Sequence, residues 1–458
     1  MMEPISRRSR LISMLCTAGL LAVAGCAAHA SAAGQGAPGT GTHAPRAGTR
    51  TASCPAPPAR HAWAGEVSLS GQAGWRTSLA THDNDVSPAV EPLVYGTVAV
   101  LAQDGSVHGL RLASGQPLWS FTGGQSVYGM WRWQDLVIVL TDQVSDHARL
   151  TGLDAATGAV RWTLRLPEAG LIGTLSATGD GGLAMLRGDG TLQVVSLADG
   201  AVRWKRPVGT SPALAAGGGL VFYGINGRLT AYDAQTGGTA WTTSGLPPQP
   251  AVQLAGGLLM VTSNVQGGDA PTALTAVVPG TGRVAWRFDP GTAVTVLAAG
   301  VLTTGPTAGI AVATYDPRRL YLLDPGTGRP RWRVAVAVTF SVLDGGVLVD
   351  TEGFGPVHLV ERSAVNGAIR WQDTLAEQPA GPAQAVVAGQ LILVPGIPEP
   401  ASRPAELAAY RLDSGGQVWR LTLPAPLADS PVLLPGGGLL IQPADFAYAC
   451  AVSGLVTR

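Results

Sequence analysis

LTAYDAQTGGTAW, residues Leu229–Trp241, carries the pattern that decides the fold. Apolar and polar residues alternate through Tyr232, Asp233 opens a turn, Gly237 ends it, and Trp241 follows four residues later. Alternation at period two marks a half-buried strand. An Asp side chain accepts backbone N–H bonds at the start of a turn, and Gly takes positive φ without steric cost. The stretch therefore predicts a hairpin of three to five residues with a left-handed Gly.

Working outward, the same ending occurs eight times, with its Trp at 119, 162, 204, 241, 286, 332, 371 and 419. Successive spacings are 43, 42, 37, 45, 46, 39 and 48, so a constant motif sits on a scaffold whose loops vary in length. Asp154/Gly158, Asp233/Gly237, Asp324/Gly328 and Asp413/Gly415 are expected to fill the turn places. Two more strand signals precede each hairpin, as in SPALAAGGGLVFYG and FSVLDGGVLVD. Each repeat reads as four short antiparallel strands. Such a sheet cannot bury both faces alone, whereas sheets stacked around an axis can. The expected fold is an all-β propeller.

Composition agrees. Among 458 residues there are 62 Gly and 34 Pro, the two poorest helix formers, yet hydrophobic residues reach 46%. Charged residues are only 13%, and 30 Lys+Arg balance 30 Asp+Glu. That balance, with no basic block, speaks against nucleic acid as a partner, whose binding rests on phosphate neutralisation. Lys205 is the only lysine, a bias that reads as high-GC codon usage.

The repeat resembles the quinoprotein-type (PQQ-like) propeller repeat from about Trp75 to Gly454. In that family the motif Trp lies on the outermost strand and docks between blades, which implies a packing role for all eight. Residues SGQAGW, ending at Trp75, look like a last strand without its first three, and the C-terminal stretch supplies three strands without a Trp. Joined, they would close the ring and bring the direct count to nine blades, with eight as the alternative.

The N-terminus reads as an address. Arg7, Arg8 and Arg10 precede an apolar run that ends at Val23-Ala24-Gly25-Cys26. The run from Leu11 to Gly25 is shorter than the roughly 20 residues of a membrane span and suits a secretory signal. Its end resembles the bacterial lipobox, which implies diacylation of Cys26, a palmitate-type anchor, and a signal peptide over residues 1–25. Residues 26–60, rich in Ala, Gly, Thr and Pro, read as a flexible tether, and 61–458 as the propeller. With Cys16 removed and Cys26 lipidated, Cys54 and Cys450 remain. An even remainder in an exported protein predicts a disulfide across the closing seam, with two buried thiols as the alternative.

Catalytic signals are thin. The family's dehydrogenases need a quinone seat, calcium ligands and adjacent cysteines, and no two cysteines are adjacent here. His82-Asp83-Asn84-Asp85 reads as a polar turn, and no metal site, cofactor or catalytic residue is expected. Trp131 and Trp133 fall outside the repeating Trp position and are candidate partner-binding residues, because aromatics with Arg are favoured at interfaces. Core or inter-blade packing competes with that reading.

The layout is similar to that of the propeller lipoprotein of the outer-membrane β-barrel assembly machinery. The expectation is an exported, lipid-anchored, non-catalytic scaffold on the extracytoplasmic face of the cell membrane. Its partners would be envelope or cell-surface proteins or polymers, and the lipid would be its only membrane contact. The alternatives are a quinone- or metal-dependent oxidoreductase and an extracytoplasmic small-ligand sensor.

Overall fold

The computed structural model describes residues 63–68, 73–78 and, with interruptions, 90–441. The longer interruptions are 143–147, 167–174, 264–272, 303–307, 353–357, 376–384, 397–404 and 424–431. Among the described residues the strands form nine four-stranded antiparallel sheets. Sheets 1 to 8 are contiguous in sequence, over residues 93–122, 127–165, 176–207, 213–244, 250–288, 294–334, 338–374 and 386–423. In each, strands pair in chain order.

Burial follows strand position. Second strands such as Val98–Gln103 and Leu136–Thr141 are buried at every residue, because neighbouring sheets cover both faces. Fourth strands such as Val160–Arg165 alternate between exposed and half-buried, since they form the outer edge of the ring. Nine apolar clusters hold the assembly, each shared between two neighbouring sheets.

The turn chemistry is local. Asp233 Oδ1 accepts bonds from Gln235 N (3.0 Å), Thr236 N (2.8 Å) and Thr236 Oγ1 (2.9 Å), while Gly237 N donates to the Asp233 carbonyl at 2.8 Å. Gly237 has φ +69°, and a Cβ there would lie 2.8 Å from the Trp204 ring of the preceding sheet. Only Gly meets both demands. A one-residue bulge between Ala231/Trp241 and Tyr232/Thr239 lies beside the motif Trp. The same turn forms at Asp154 and Asp324. The fourth expected turn differs. Gly415 N donates to the Arg411 carbonyl at 2.9 Å, so Arg411 occupies the anchor position and Asp413 Oδ1 instead accepts from Ser414 Oγ.

Two corrections concern the ring. The expected closure by one N-terminal and three C-terminal strands is overturned. The closing sheet takes two strands from each end, in the order Ala73–Ser78, Trp63–Ser68, Gly438–Ile441, Val432–Leu433. Trp63–Ser68 and Ala73–Ser78 pair as a hairpin, from Trp63↔Ser78 to Val67↔Ala73. Third and fourth strands make this hairpin in every sheet, so the same local rule operates at the N-terminus. The expected count of nine blades, with eight as the alternative, is also overturned: among the described residues seven sheets dock their motif Trp on the turn Gly of the next. These Trp-over-Gly joints run from Trp119 on Gly158 to Trp371 on Gly415, tying sheets 1 to 8. The composite sheet packs Leu439 and Ile441 against sheet 8 and Leu434 and Leu440 against sheet 1. Cys26, Cys54, Cys450 and His82–Asp85 lie outside the described residues.

Candidate functional site: the seam between sheets 2 and 3

At six of the seven joints the motif Trp donates its indole N–H to a carbonyl of the next sheet's turn. The acceptors are Ala155, Ala234, Pro279, Pro325, Ala364 and Leu412, at 2.7–3.1 Å from Nε1. Each acceptor lies three residues before the turn Gly. Trp162 breaks the pattern. Its ring lies over Gly200, where a Cβ would come within 2.5 Å, but its Nε1 is buried without a hydrogen-bond partner. An unmet buried donor is costly, so this joint is the weakest-bonded of the set.

Trp131 and Trp133 lie on the same seam. Both are on the innermost strand of sheet 2, Val127–Trp133, and both are half-buried against the cluster shared by sheets 2 and 3. Trp131 folds over Gly129 of its own strand, and Trp133 reaches Gly181 of sheet 3. Trp133 Nε1 is likewise buried without a partner. Arg132, between them, is exposed; its Nη1 donates to the Val94 carbonyl at 3.0 Å and its guanidinium lies 4.9 Å from the Tyr95 ring centroid. Burial, partly opposed by that guanidinium, pushes the Tyr95 hydroxyl well above the usual tyrosine range. The structure thus places both singled-out Trp residues half-buried at the seam, with exposed Arg132 between them.

The same seam holds a cleft of about 320 Å³. Leu164 and Leu166 continue the face of Trp162 along one wall; Val202 and Trp204 contribute apolar surface from sheet 3. Its charged lining is entirely basic: Arg165 from sheet 2, with Arg187 and Lys205 from sheet 3. Gln193 pairs with Lys205 across adjacent strands and lines the cleft although only 4% exposed. Arg187 opens the tight turn to Thr191 and meets Asp189 Oδ2 at 3.5 Å. Burial works against the Asp189 charge, but the Thr191 donors and Arg187 outweigh it and hold its pKa below the ordinary value. Three cations thus border an apolar floor, one of them, Arg187, with Asp189 beside it.

Nothing in the repeat pattern announced this cleft. Its only trace is the run Arg203-Trp204-Lys205-Arg206, with the single lysine read as codon bias. Among the described residues no group of three or more His, Cys, Asp or Glu is placed to hold a metal ion. No helix among them is long and apolar enough to cross a membrane.

Sheet topology, the outer-strand Trp and its docking on the next turn define a PQQ-like β-propeller. A family model described as outer membrane protein assembly factor BamB matches residues 61–215, 188–275 and 270–432, and the chain belongs to that family. A solved structure of a eukaryotic initiation factor is similar in fold, with TM-score 0.56 and 11% identity, over 84% of this chain and 98% of that one. BamB from Moraxella catarrhalis is 17% identical, with TM-score 0.45, covering 78% of this chain and 97% of its own. Serine/threonine-protein kinase AfsK of Streptomyces griseus is 30% identical over 159 residues, 32% of this chain. The chain spans about a fifth of that curated relative, 20% of its length.

Proposed function

We propose that this protein is an exported, lipid-anchored, non-catalytic propeller that binds an envelope or cell-surface protein. The observation that carries the reading is the family match from residue 61 to 432, to a model described as an outer membrane protein assembly factor. In this reading residues 1–25 are cleaved, Cys26 takes the lipid, and 26–60 hold the ring off the extracytoplasmic face of the membrane. A Cys54–Cys450 disulfide would constrain the two chain ends near the closing sheet. The outer strands provide contact surface: Leu118, Val160, Val202, Ile369 and Val418 are exposed apolar side chains on five of them. The half-buried Trp131 and Trp133 beside exposed Arg132 are a second candidate contact.

Two measurements test the reading on the full chain in its own cell envelope. Alkyne-palmitate labelling should mark the membrane fraction and disappear in Cys26→Ser, with the protein released from that fraction. Photo-crosslinkers placed at Val160 and Ile369 should trap a discrete protein partner that a crosslinker on the buried strand residue Val139 does not. Label that persists in Cys26→Ser removes the anchor; crosslinks that do not depend on position remove the binding surface. A quinone absorbance in the purified protein would overturn the non-catalytic part.

A further inference from the structure

We infer that the cleft between sheets 2 and 3 is a binding site for a small organic anion, a phosphate or carboxylate carried on a short apolar body. The charged lining sets the first half of that description. Arg165, Arg187 and Lys205 line the cleft from two sheets, and no carboxylate is among the lining residues. Arg165 and Lys205 make no ion pair among the described residues. Arg187 has Asp189 at 3.5 Å, which leaves the charges of Arg165 and Lys205 beside the cleft for an incoming anion to offset. Two guanidinium groups and an ammonium match the oxygens of a phosphate or carboxylate, with fork geometry from the arginines and a point charge from the lysine.

The walls set the second half. Leu164, Val202 and Trp204 give the cleft an apolar surface that a bare inorganic ion would leave wet. A volume of about 320 Å³ lies at the small end of the range of ligand pockets, enough for a ring or short chain plus a charged head. The Gln193 amide, on a residue 4% exposed, adds a neutral donor and acceptor at the buried side.

The joint beside the cleft supports the assignment independently. Six joints are closed by an indole-to-carbonyl bond, and the one that lacks it, at Trp162, is on the seam that opens into the cleft. The site does not depend on the lipid anchor or on a protein partner, so the two readings stand or fall separately.

Lys205, the only lysine, makes the test selective. Phenyl phosphate is titrated into the purified full chain by calorimetry at about 0.05 M salt, with benzoate, inorganic phosphate and benzyl alcohol as parallel probes. Acetylation at Lys205 is followed by peptide mass mapping with and without each probe. Phenyl phosphate is expected to bind about tenfold tighter than inorganic phosphate and to slow Lys205 acetylation severalfold, while benzyl alcohol does neither. Lys205→Gln and Arg165→Gln should each weaken phenyl phosphate about tenfold, and Lys205→Arg should retain most of the binding. Comparison with benzoate separates a phosphate seat from a carboxylate seat. Undetectable binding of both aromatic anions without protection of Lys205, or binding that both Gln variants leave unchanged, overturns the inference. Equal affinity for inorganic and phenyl phosphate overturns the apolar half of it.

Discussion

The seams on either side of sheet 3 use the same parts and differ in how they are closed. Between sheets 3 and 4, Trp204 docks on Gly237 and donates to the Ala234 carbonyl at 3.0 Å. A polar clasp lies beside it: Asp180 takes Arg203 at 3.1 Å and Gln235 Nε2 at 2.7 Å, with Thr178 Oγ1 on the same carboxylate. Gln235 belongs to sheet 4, so the clasp crosses the seam. Between sheets 2 and 3, Trp162 docks on Gly200 in the same way, yet two indole N–H groups go unmet and a basic cleft opens. Steric docking of Trp on Gly is therefore enough to stack two sheets. The hydrogen bond is an additional closure that one seam has and the other lacks.

The hardest challenge to this comparison is to block the docking itself. Gly237→Ala forces a Cβ toward the Trp204 ring at a residue held at φ +69°. Strain and overpacking together should cost about 3 kcal/mol, read as a lower denaturant midpoint in equilibrium unfolding. Gly218→Ala, also at positive φ but with nothing within 4 Å of the new Cβ, should lose only about 1 kcal/mol. Equal losses would mean that backbone conformation, and not Trp docking, limits the joint.

Removing only the indole N–H sharpens the contrast. Trp204→Phe strands the Ala234 carbonyl and should cost about 2 kcal/mol, counting lost packing. Trp162→Phe removes a donor already unpaired, so its loss should be about half as large. If the two variants unfold at the same denaturant concentration, the missing bond at Trp162 has no energetic meaning.

Smaller effects come from the turns. Asp233→Ala deletes three hydrogen bonds to the Asp233 carboxylate and should cost about 1 kcal/mol, whereas Asp413→Ala should be close to neutral, because Arg411 anchors that turn. The smallest is a pH dependence. At Asp180, burial opposes the charge but is outweighed by Thr178, Arg203 and Gln235, so its pKa lies below the ordinary 3.8. A carboxylate depressed on folding contributes stability above its unfolded pKa and loses it as pH falls through the folded value. Asp154, lowered to about 2 chiefly by its bond from Arg161, behaves alike. Stability should thus decline from about pH 4 to about pH 2, and Asp180→Asn should flatten part of that slope in unfolding curves taken across the range. A slope unchanged by Asp180→Asn would remove the clasp from the account.

Much of the architecture was legible because it is written in short-range chemistry. Asp233 to Gly237 is one turn, and its hydrogen bonds join residues two to five apart. The Trp positions, the four-strand unit and the quinoprotein-type resemblance all follow from that repeat. Arg411 was missed as an anchor because the bond to Gly415 uses a backbone carbonyl, which any residue supplies. The two-plus-two closing sheet was missed because pairing of Val67 with Leu439 joins opposite ends of the chain, and no local signal ranks it against other pairings. Trp131 and Trp133 stood out as departures from the repeat, but their half-buried placement depends on Gly129 and Gly181 lying beneath the rings.

The amino-acid sequence alone determined the all-β class, the repeating hairpin and the place of each outer-strand Trp, since alternation, Asp and Gly act over a few residues. The tertiary structure decided which strands close the ring, which joint forgoes its hydrogen bond, and where Arg165, Arg187 and Lys205 line a cleft. Those features depend on how neighbouring sheets are offset, and that offset is set by the summed packing of nine apolar seams and by no single motif.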